Sequence, residues 1–323
     1  MRRRSFIVGL GVASLAAGQP RAQRRLPRLA LLLTEGGSTP ANSAWTMTLR
    51  AALGEYGWIE GRTIEIITRY ADGDFDRLPV LATELIALRP DLLLTHSSPG
   101  ALAAAAATRT IPIVVGAASE PVLAGLAGEL ARPQSNVTGL TIASVEQHVK
   151  TVEIFAEIRP GLAHLAVLVT PANRSYDALG GALAARGYSS TNIVLADARS
   201  ALLRDALQAA RVDALLVTAD PNFNRADADR AIDEAAKSLR LPHFGTFEPA
   251  TRAGALFSFG ADYGRLIRRS AFYIDRLLRG AKPADLPVER PSVFKLVINL
   301  KAAGALGLTV PSPVLARADE VIE

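Results

Sequence analysis

The stretches "RLALLLT" at residues 28–34 and "HLAVLVT" at residues 164–170 are the clearest indication of the fold in this sequence. Each is a run of Leu, Val and Ala that ends in Thr, which is typical of a parallel strand buried on both faces. The two stretches lie nearly half a chain apart in a sequence of 323 residues. This spacing predicts that the second half of the chain repeats the fold of the first.

Two further pairs of strands continue the repeat in the same order. "DLLLTHSSPG" from Asp91 is matched by "DALLVTADPN" from Asp213, and "IPIVVGAASEP" from Ile111 is matched by "LPHFGTFEP" from Leu241. One matched strand could arise by chance because buried strands use few residue types, but three in order indicate two similar lobes. Two sheets side by side, each with loops at its strand ends, create a cleft between them.

Strand and helix patterns alternate along the chain from Arg28 onward. Buried strands separated by amphipathic helices indicate βαβ units, so the predicted fold class is α/β with two doubly wound parallel-sheet lobes. The expected strands are 29–34, 64–70, 92–96, 111–116, 137–141, 165–170, 193–196, 214–218, 243–246 and 255–259. The expected helices are 45–56, 75–88, 101–107, 122–130, 176–186, 202–210 and 226–238, with a basic amphipathic helix at 263–278.

The N-terminal residues 1–22 have the layout of a secretory signal peptide. A basic start precedes an apolar stretch at 6–17, which is too short to span a bilayer of roughly 20-residue thickness. Arg3 and Arg4 before Ser5-Phe6 favour the twin-arginine export route, with an ordinary Sec signal as the alternative. The chain from Gln23 is therefore expected to be soluble in the periplasm.

Charge and cysteine content exclude several classes of function. The net charge of +5 comes largely from the arginines of the N-terminal signal, so the remainder gives little support to a nucleic-acid partner. The sequence has no cysteine, which excludes disulfides, thiolate nucleophiles, cysteine metal sites and lipoprotein acylation.

Catalytic motifs are absent from the sequence. The four histidines show no H-x-x-x-H spacing, and there is no G-x-S-x-G motif and no P-loop. His96 beside Ser97 is the nearest approach to a base and nucleophile, but adjacent strand residues point to opposite faces. We therefore expect no enzyme activity, no cofactor and no metal site.

Six longer motifs cover most of the chain. They are "LGEYGWIEGRTIEI", "YADGDFDRLPVLATELI", "TIPIVVGAASEPV", "LARPQSNVTGLT", "GAKPADLPVERPSVFKLVINLKAAGALGLTVP" and "LARADEVIE". With them the chain resembles the substrate-binding proteins of ABC transporters, in a family of largely uncharacterised periplasmic binding proteins that includes tryptophan- and tyrosine-binding members.

The resemblance implies the type I periplasmic-binding-protein fold, in which three crossings join two lobes that close on a small molecule. In this sequence the crossings are expected at 138–143, 257–260 and 289–293. Lobe 1 is then expected to comprise 28–141 plus 257–288, and lobe 2 to comprise 142–256 plus 289–323.

The resemblance also implies a function. A monomeric receptor would deliver a small solute to an ABC permease in the inner membrane. The favoured solute is an amino acid, and aromatic amino acids are one option. An exported sensor that presents its closed form to a signalling receptor is the first alternative, and an exported enzyme on the same scaffold is the second.

The segment "THSSPG" is the leading candidate for a ligand contact. It ends a parallel strand and begins a helix, where unpaired N–H groups and a partial positive charge suit a carboxylate. Ser97 and Ser98 would add hydroxyl donors, unless they serve only as helix caps.

The loops after the other strands supply the remaining candidates. Asp220 would pair with an ammonium group, with an Asx-turn or a helix cap ahead of Pro221 as the alternative. Phe223 and Phe247 would stack on a ring of the ligand, with core packing as the alternative. The other candidate ligand-binding residues are Glu35, Ser43, Ser119, Glu120, Asn173, Tyr176 and Asn222.

Overall fold

The structure is a computed structural model that describes residues 25–34, 44–119, 122, 125–142, 144–171, 176–198 and 201–323. Its strands are β1 (Arg28–Leu33), β2 (Glu65–Tyr70), β3 (Leu92–Thr95), β4 (Ile113–Ala118), β5 (Val137–Thr141), β6 (His164–Val169), β7 (Ser189–Val194), β8 (Ala214–Val217), β9 (His243–Gly245), β10 (Phe257–Ala261), β11 (Phe294–Asn299) and β12 (Glu320–Ile322). Its helices are α1 (Ala44–Glu55), α2 (Leu78–Ala87), α3 (Ser98–Ala107), α4 (Ser144–Ile158), α5 (Asp177–Ala184), α6 (Leu202–Ala210), α7 (Ala226–Ser238), α8 (Glu248–Ala253), α9 (Tyr263–Leu278), α10 (Leu300–Leu306) and α11 (Ser312–Leu315).

The strands form two sheets that repeat one another. The first has the order β2-β1-β3-β4-β5 and the second the order β12-β11-β10-β9-β8-β6-β7. The order β2-β1-β3-β4 in one sheet matches β7-β6-β8-β9 in the other, and all of these strands pair in parallel. The internal repeat predicted from the sequence is thus confirmed.

Helices cover both faces of the first sheet. Leu29 and Leu31 of β1 pack with residues of α1 and α9, whereas Ala30 and Leu32 pack with residues of α2 and α3. Because successive strand residues point to opposite faces, burial on both sides requires an apolar residue at every position. This explains why the sequence of β1 is a continuous run of apolar residues.

The second sheet is built in the same way. Leu165 and Val167 of β6 belong to a core with α4 and α5, whereas Ala166 and Leu168 belong to a core with α6 and α7. The one antiparallel pair in this sheet is β10 with β11, which brings the C-terminal part of the chain into the second lobe.

An aspartate before the third strand of each repeat has the same structural role. Asp91 accepts a hydrogen bond from the backbone N–H of Arg28 at 2.7 Å, and Asp213 accepts one from the N–H of His164 at 2.9 Å. Each carboxylate thereby secures the first residue of the neighbouring strand. The hydrogen bond from His164 also holds the pKa of Asp213 below its usual value.

Three connections join the lobes and are hydrogen-bonded to one another. The chain passes from β5 to α4, from β10 to α9, and from the segment after α9 to β11. The N–H of Thr141 donates to the carbonyl of Glu289 at 2.9 Å, and the N–H of Glu289 donates to Gly139 at 2.9 Å. The N–H of Asp262 donates to Val293 at 3.2 Å.

The strand pairing changes one of the expected lobe boundaries. Residues 257–261, assigned to lobe 1 from the sequence, form β10 and lie in the second sheet between β9 and β11. The second connection therefore follows Ala261, and α9 returns to the first lobe, where it packs beside α1. The boundaries away from β10 remain a prediction.

One predicted helix is wrong where the structure describes it. Residues 125–130 of the expected helix 122–130 form turns and bends. Gly125 and Gly128 explain this, since glycine costs about 1 kcal/mol in a helix interior relative to alanine. None of the helices in the described part of the chain has the length and the apolar composition needed to cross a bilayer.

Candidate ligand-binding site

A cavity of about 170 Å³ lies between the two lobes, at the carboxyl ends of the strands. This is the position where open parallel sheets bind ligands, because the loops after the strands converge there. Its lining residues come from both lobes and are Thr34, Trp45, His96, Ser97, Ser98, Ala117, Ser119, Ile142, Ala219, Pro221, Asn224, Arg225, Phe247 and Tyr263. We call this space the cleft cavity.

The serines of the first lobe form a polar corner of the cleft cavity. The Ser97 hydroxyl accepts the N–H of Gly100 at 3.3 Å and so caps α3. The Ser98 hydroxyl accepts the N–H of Ser119 at 2.9 Å, which ties the loops after β3 and β4 together. Both serines therefore have a structural role and also line the cavity. Their O–H groups donate to no acceptor among the described residues, so each can donate to a ligand.

Aromatic rings form the apolar part of the cleft cavity. The rings of Trp45 and His96 have their centroids 5.4 Å apart, and those of Phe247 and Tyr263 are 4.7 Å apart. Thr34 Oγ1 lies 3.1 Å from His96 Nε2 and fixes the imidazole. Burial raises the pKa of Tyr263, which keeps its phenol neutral. These rings can hold a flat apolar group of a ligand by stacking and edge contacts.

Arg225 of the second lobe brings a positive charge to the cleft cavity. Its side chain is 19% exposed and pairs with Asp227, with 2.9 Å between Nη2 and Oδ2. This hydrogen bond lowers the pKa of Asp227. The guanidinium also reaches the first lobe at Gly73, where any side chain would overlap it. Arg225 is the one Lys or Arg among the described residues that line this cavity.

Sequence reasoning missed several of these residues. Arg225 lies one residue beyond the motif "TADPNFN", and its cavity position depends on the turn made by that loop. Trp45 and Tyr263 each lie at the start of a helix. An aromatic residue in this position is as compatible with core packing as with a place in a ligand site. The repeat predicts that residues just after matched strands face one cleft, but Arg225, Trp45 and Tyr263 do not occupy such positions.

Four predicted site residues lie in the loops and core beside the cleft cavity and do not line it. Asp220 is buried and accepts hydrogen bonds from Thr170 Oγ1 at 2.6 Å and from the N–H of Asn222 at 3.0 Å, which is an Asx-turn. Asn222 Nδ2 donates to the carbonyl of Ala196 at 2.9 Å. The structure thus gives both residues a role in shaping the loop after β8.

The two remaining residues of this group are aromatic. Phe223 is fully buried in the core between β6, α6 and α7, which is the core packing that the sequence left open. Tyr176 is buried with its ring edge-on to His148 at 5.2 Å, and burial raises the pKa of its phenol. Direct ligand contact by these four residues stays a prediction. Glu35, Ser43, Glu120 and Asn173 lie outside the described residues.

A smaller cavity lies beneath the cleft cavity and shares Asn224 and Phe247 with it. Two buried ionisable side chains line it, Asp229 of α7 and His243 of β9. Burial raises the pKa of Asp229 to about 7, with a smaller contribution from the neighbouring Asp227. Burial lowers the pKa of His243 to about 4, so its imidazole is neutral above that pH.

The Asp229→Asn variant is expected to gain stability over the parent protein as pH rises. The folded-state pKa of Asp229, about 7, exceeds the unfolded value of 3.8, so folding favours the protonated carboxyl and stability is lost as pH rises through 7. Asparagine removes this loss, so its advantage should grow by about 2 kcal/mol between pH 5 and pH 8. Urea unfolding at both pH values measures it.

The matched control for this prediction is Asp205→Asn, because the Asp205 side chain in α6 is 66% exposed. Its effect on stability should stay within about 0.5 kcal/mol at either pH. The pKa of His243 is shifted by its burial, Asp233 and Lys237, none of which the two substitutions remove, so its contribution should cancel. An Asp229→Asn advantage that is the same at pH 5 and pH 8 would contradict the assignment.

The fold and the cleft cavity define a class of two-lobed binding proteins whose ligand site is shared by both lobes. Within this class, the family model for ABC transporter substrate binding proteins matches residues 38–322, and the chain belongs to that family. The predicted family and the type I periplasmic-binding-protein fold are thereby confirmed. The family is one of substrate-binding proteins.

Three relatives illustrate the similarity. A tyrosine-binding protein of Clostridioides difficile is 26% identical over 268 residues, which cover 80% of this chain and 74% of that protein. A conserved domain protein of Vibrio cholerae has a TM-score of 0.84 and 30% identity, covering 92% of this chain and 100% of that one. An ABC domain of Streptococcus pneumoniae in complex with L-Trp has a TM-score of 0.83 and 24% identity over the same shares of each chain.

Proposed function

We propose that this protein is the solute-binding component of an ABC import system and that its ligand is an aromatic amino acid. The observation that carries the proposal is the composition of the cleft cavity. Serine hydroxyls and the Arg225 guanidinium are placed for a carboxylate, and the rings of Trp45, Phe247 and Tyr263 for an aromatic side chain. The tyrosine-binding relative and the L-Trp complex of a relative support the same ligand class.

The proposed mechanism is closure of the two lobes around the ligand. Ser97 and Ser98 belong to the first lobe, whereas Arg225 and Phe247 belong to the second. A ligand that touches both sets gains contacts only when the lobes are together, which is the difference in affinity that a population shift requires. The permease then recognises the closed form.

The remaining parts of the proposal concern location and partners. Residues 1–22 act as an export signal, with the twin-arginine route favoured, and the exported chain works as a monomer in the periplasm. The family match supports delivery to an ABC permease over presentation to a signalling receptor. Binding without catalysis is proposed, because the cleft cavity has a ligand-binding arrangement of hydroxyl, guanidinium and aromatic groups.

Thermal unfolding of the chain that begins at Gln23 tests the ligand class. L-Trp, L-Tyr and L-Phe are compared with L-Leu and L-Glu. A ligand at about 100 times its Kd stabilises the folded state by about 2.7 kcal/mol, which raises Tm by roughly 4 °C in a chain of this length. We expect this shift with at least one aromatic amino acid and not with L-Glu. A shift with L-Leu or L-Glu alone, or with none of the five, would refute an aromatic ligand.

A further inference from the structure

A second cavity lies on the side of the molecule where the three connections between the lobes meet. Its volume is about 380 Å³, and none of the described residues that line it also lines the cleft cavity. Leu140 comes from β5, just before the first connection, Asp262 from the second connection and residues 289–293 from the third. We call it the hinge pocket, lined by Tyr56, Leu140, Asp262, Arg265, Leu266, Arg268, Arg269, Phe272, Glu289, Arg290, Pro291, Ser292 and Val293.

Four arginines line the hinge pocket, and two of them have carboxylate partners at hydrogen-bonding distance. Arg269 makes a bidentate pair with Glu289, at 2.8 Å from Nε and 2.6 Å from Nη2. Nη1 of Arg290 lies 3.0 and 3.1 Å from the two carboxylate oxygens of Glu146. In these two pairs, a carboxylate compensates the positive charge of each guanidinium.

The other two arginines are less well compensated. Arg265 Nε lies 3.5 Å from Asp262, a longer distance than in the pairs above, and this carboxylate already accepts the backbone N–H of Arg265 at 3.0 Å as the cap of α9. Arg268 is exposed and forms no salt bridge with any described carboxylate. The four arginines therefore face three carboxylates, Asp262, Glu289 and Glu146, so one positive charge is in excess and Arg268 carries it.

Tertiary contacts hold the pocket wall in place. The Arg269 guanidinium lies 3.9 Å above the centroid of the Phe272 ring, in addition to its pair with Glu289. Glu289 is itself hydrogen-bonded through its backbone to Gly139 and Thr141 of β5. A wall fixed in this way loses little conformational entropy when a ligand binds.

We propose that the hinge pocket binds a small oxyanion that carries at least two negative charges. Planar guanidiniums recognise carboxylate and phosphate oxygens through paired N–H donors. An anion with two charged oxygens can engage Arg265 and Arg268 together, whereas a chloride ion offers a single point of contact. A phosphate compound and a polycarboxylate share this chemistry, so both are tested. The site goes beyond the proposed function and does not depend on it.

Isothermal titration calorimetry of the full chain tests the proposal with pyrophosphate and, separately, with citrate, each at constant ionic strength. We expect one saturable site for at least one of the two anions and no heat of binding for chloride. The double variant Arg265→Ala/Arg268→Ala should bind at least tenfold more weakly, since two charge-assisted contacts are lost. Tighter binding of pyrophosphate would indicate a phosphate compound as the ligand, and tighter binding of citrate would indicate a polycarboxylate.

Two controls locate the binding site. Arg109→Ala removes an exposed arginine that forms no described salt bridge and should leave the Kd unchanged. Arg225→Ala removes the guanidinium of the cleft cavity and should also leave it unchanged. The proposal is overturned if neither anion binds at millimolar concentration, if the double variant binds as the parent does, or if Arg225→Ala abolishes binding. Both substituted arginines are exposed, and an unchanged Tm confirms that the double variant is folded.

Discussion

Replacing Gly139 with alanine is expected to lower the free energy of unfolding by about 3 kcal/mol or more. Gly139 lies in β5 with φ of 131°, a conformation that residues with a side chain rarely adopt. A Cβ atom would overlap the carbonyl oxygen of Val115 and would lie 2.7 Å from its nitrogen. Backbone cannot move aside as a side chain can, so the cost combines backbone strain with a clash between neighbouring strands.

Urea unfolding measures this effect, and Gly54→Ala is its matched control. Gly54 lies in α1, and a Cβ atom added to it would have no neighbouring atom within 4 Å. Alanine there should stabilise the protein by up to about 1 kcal/mol, because it has a higher helix propensity than glycine. The same substitution is thus expected to have opposite signs at the two positions. Equal midpoints for Gly139→Ala and the parent protein would show that the β4–β5 pairing can absorb a methyl group.

The Arg225→Ala variant is expected to weaken binding of an aromatic amino acid by 10- to 100-fold. A hydrogen bond to a charged group contributes about 1.5–3 kcal/mol, which corresponds to this range. Stability should change little, because the partner Asp227 is 40% exposed and can be hydrated in the absence of Arg225. Calorimetric titration with the amino acid that gives the largest Tm shift measures the effect.

Two comparisons make this second prediction specific. Arg230→Ala removes an exposed arginine on the same helix, α7, and should leave the affinity unchanged. An aromatic ligand without a carboxylate, such as indole, should bind the parent and Arg225→Ala equally well. If Arg225→Ala binds the amino acid with the parent affinity, the carboxylate is held elsewhere in the cleft cavity.

The fold could be predicted from the sequence because its signal is local and repeated. Each buried strand is a continuous apolar run, and Asp91 and Asp213 mark equivalent strands in the two repeats. In the structure, both aspartates accept the same kind of hydrogen bond, from the backbone N–H of the first residue of the adjacent strand to the carboxylate. The less regular C-terminal part of the fold was harder to predict. Strand β10 belongs to the second sheet because it pairs with the antiparallel strand β11, which lies far along the chain.

Sequence and structure agree on part of the lining of the cleft cavity, whereas ligand contact by these residues stays a prediction. Ser97, Ser98, Ser119 and Phe247 line the cleft cavity, as expected for residues just after matched strands. Phe223 stands in the same loop as Arg225, yet one side chain enters the core and the other enters the cavity. Local sequence cannot separate these outcomes, because an aromatic residue in a loop is compatible with both.

The two parallel lobes, the repeat and the likeness to a family of binding proteins could all be inferred from the amino-acid sequence. Apolar periodicity, turn residues and strand order act within short segments, and they can therefore be read directly from the chain. The contact of Arg225 with Gly73 across the cleft, and the meeting of arginines of α9 with Arg290 in the hinge pocket, became visible only in the three-dimensional structure. Those positions depend on how the three connections orient one lobe against the other, and no single segment carries that information.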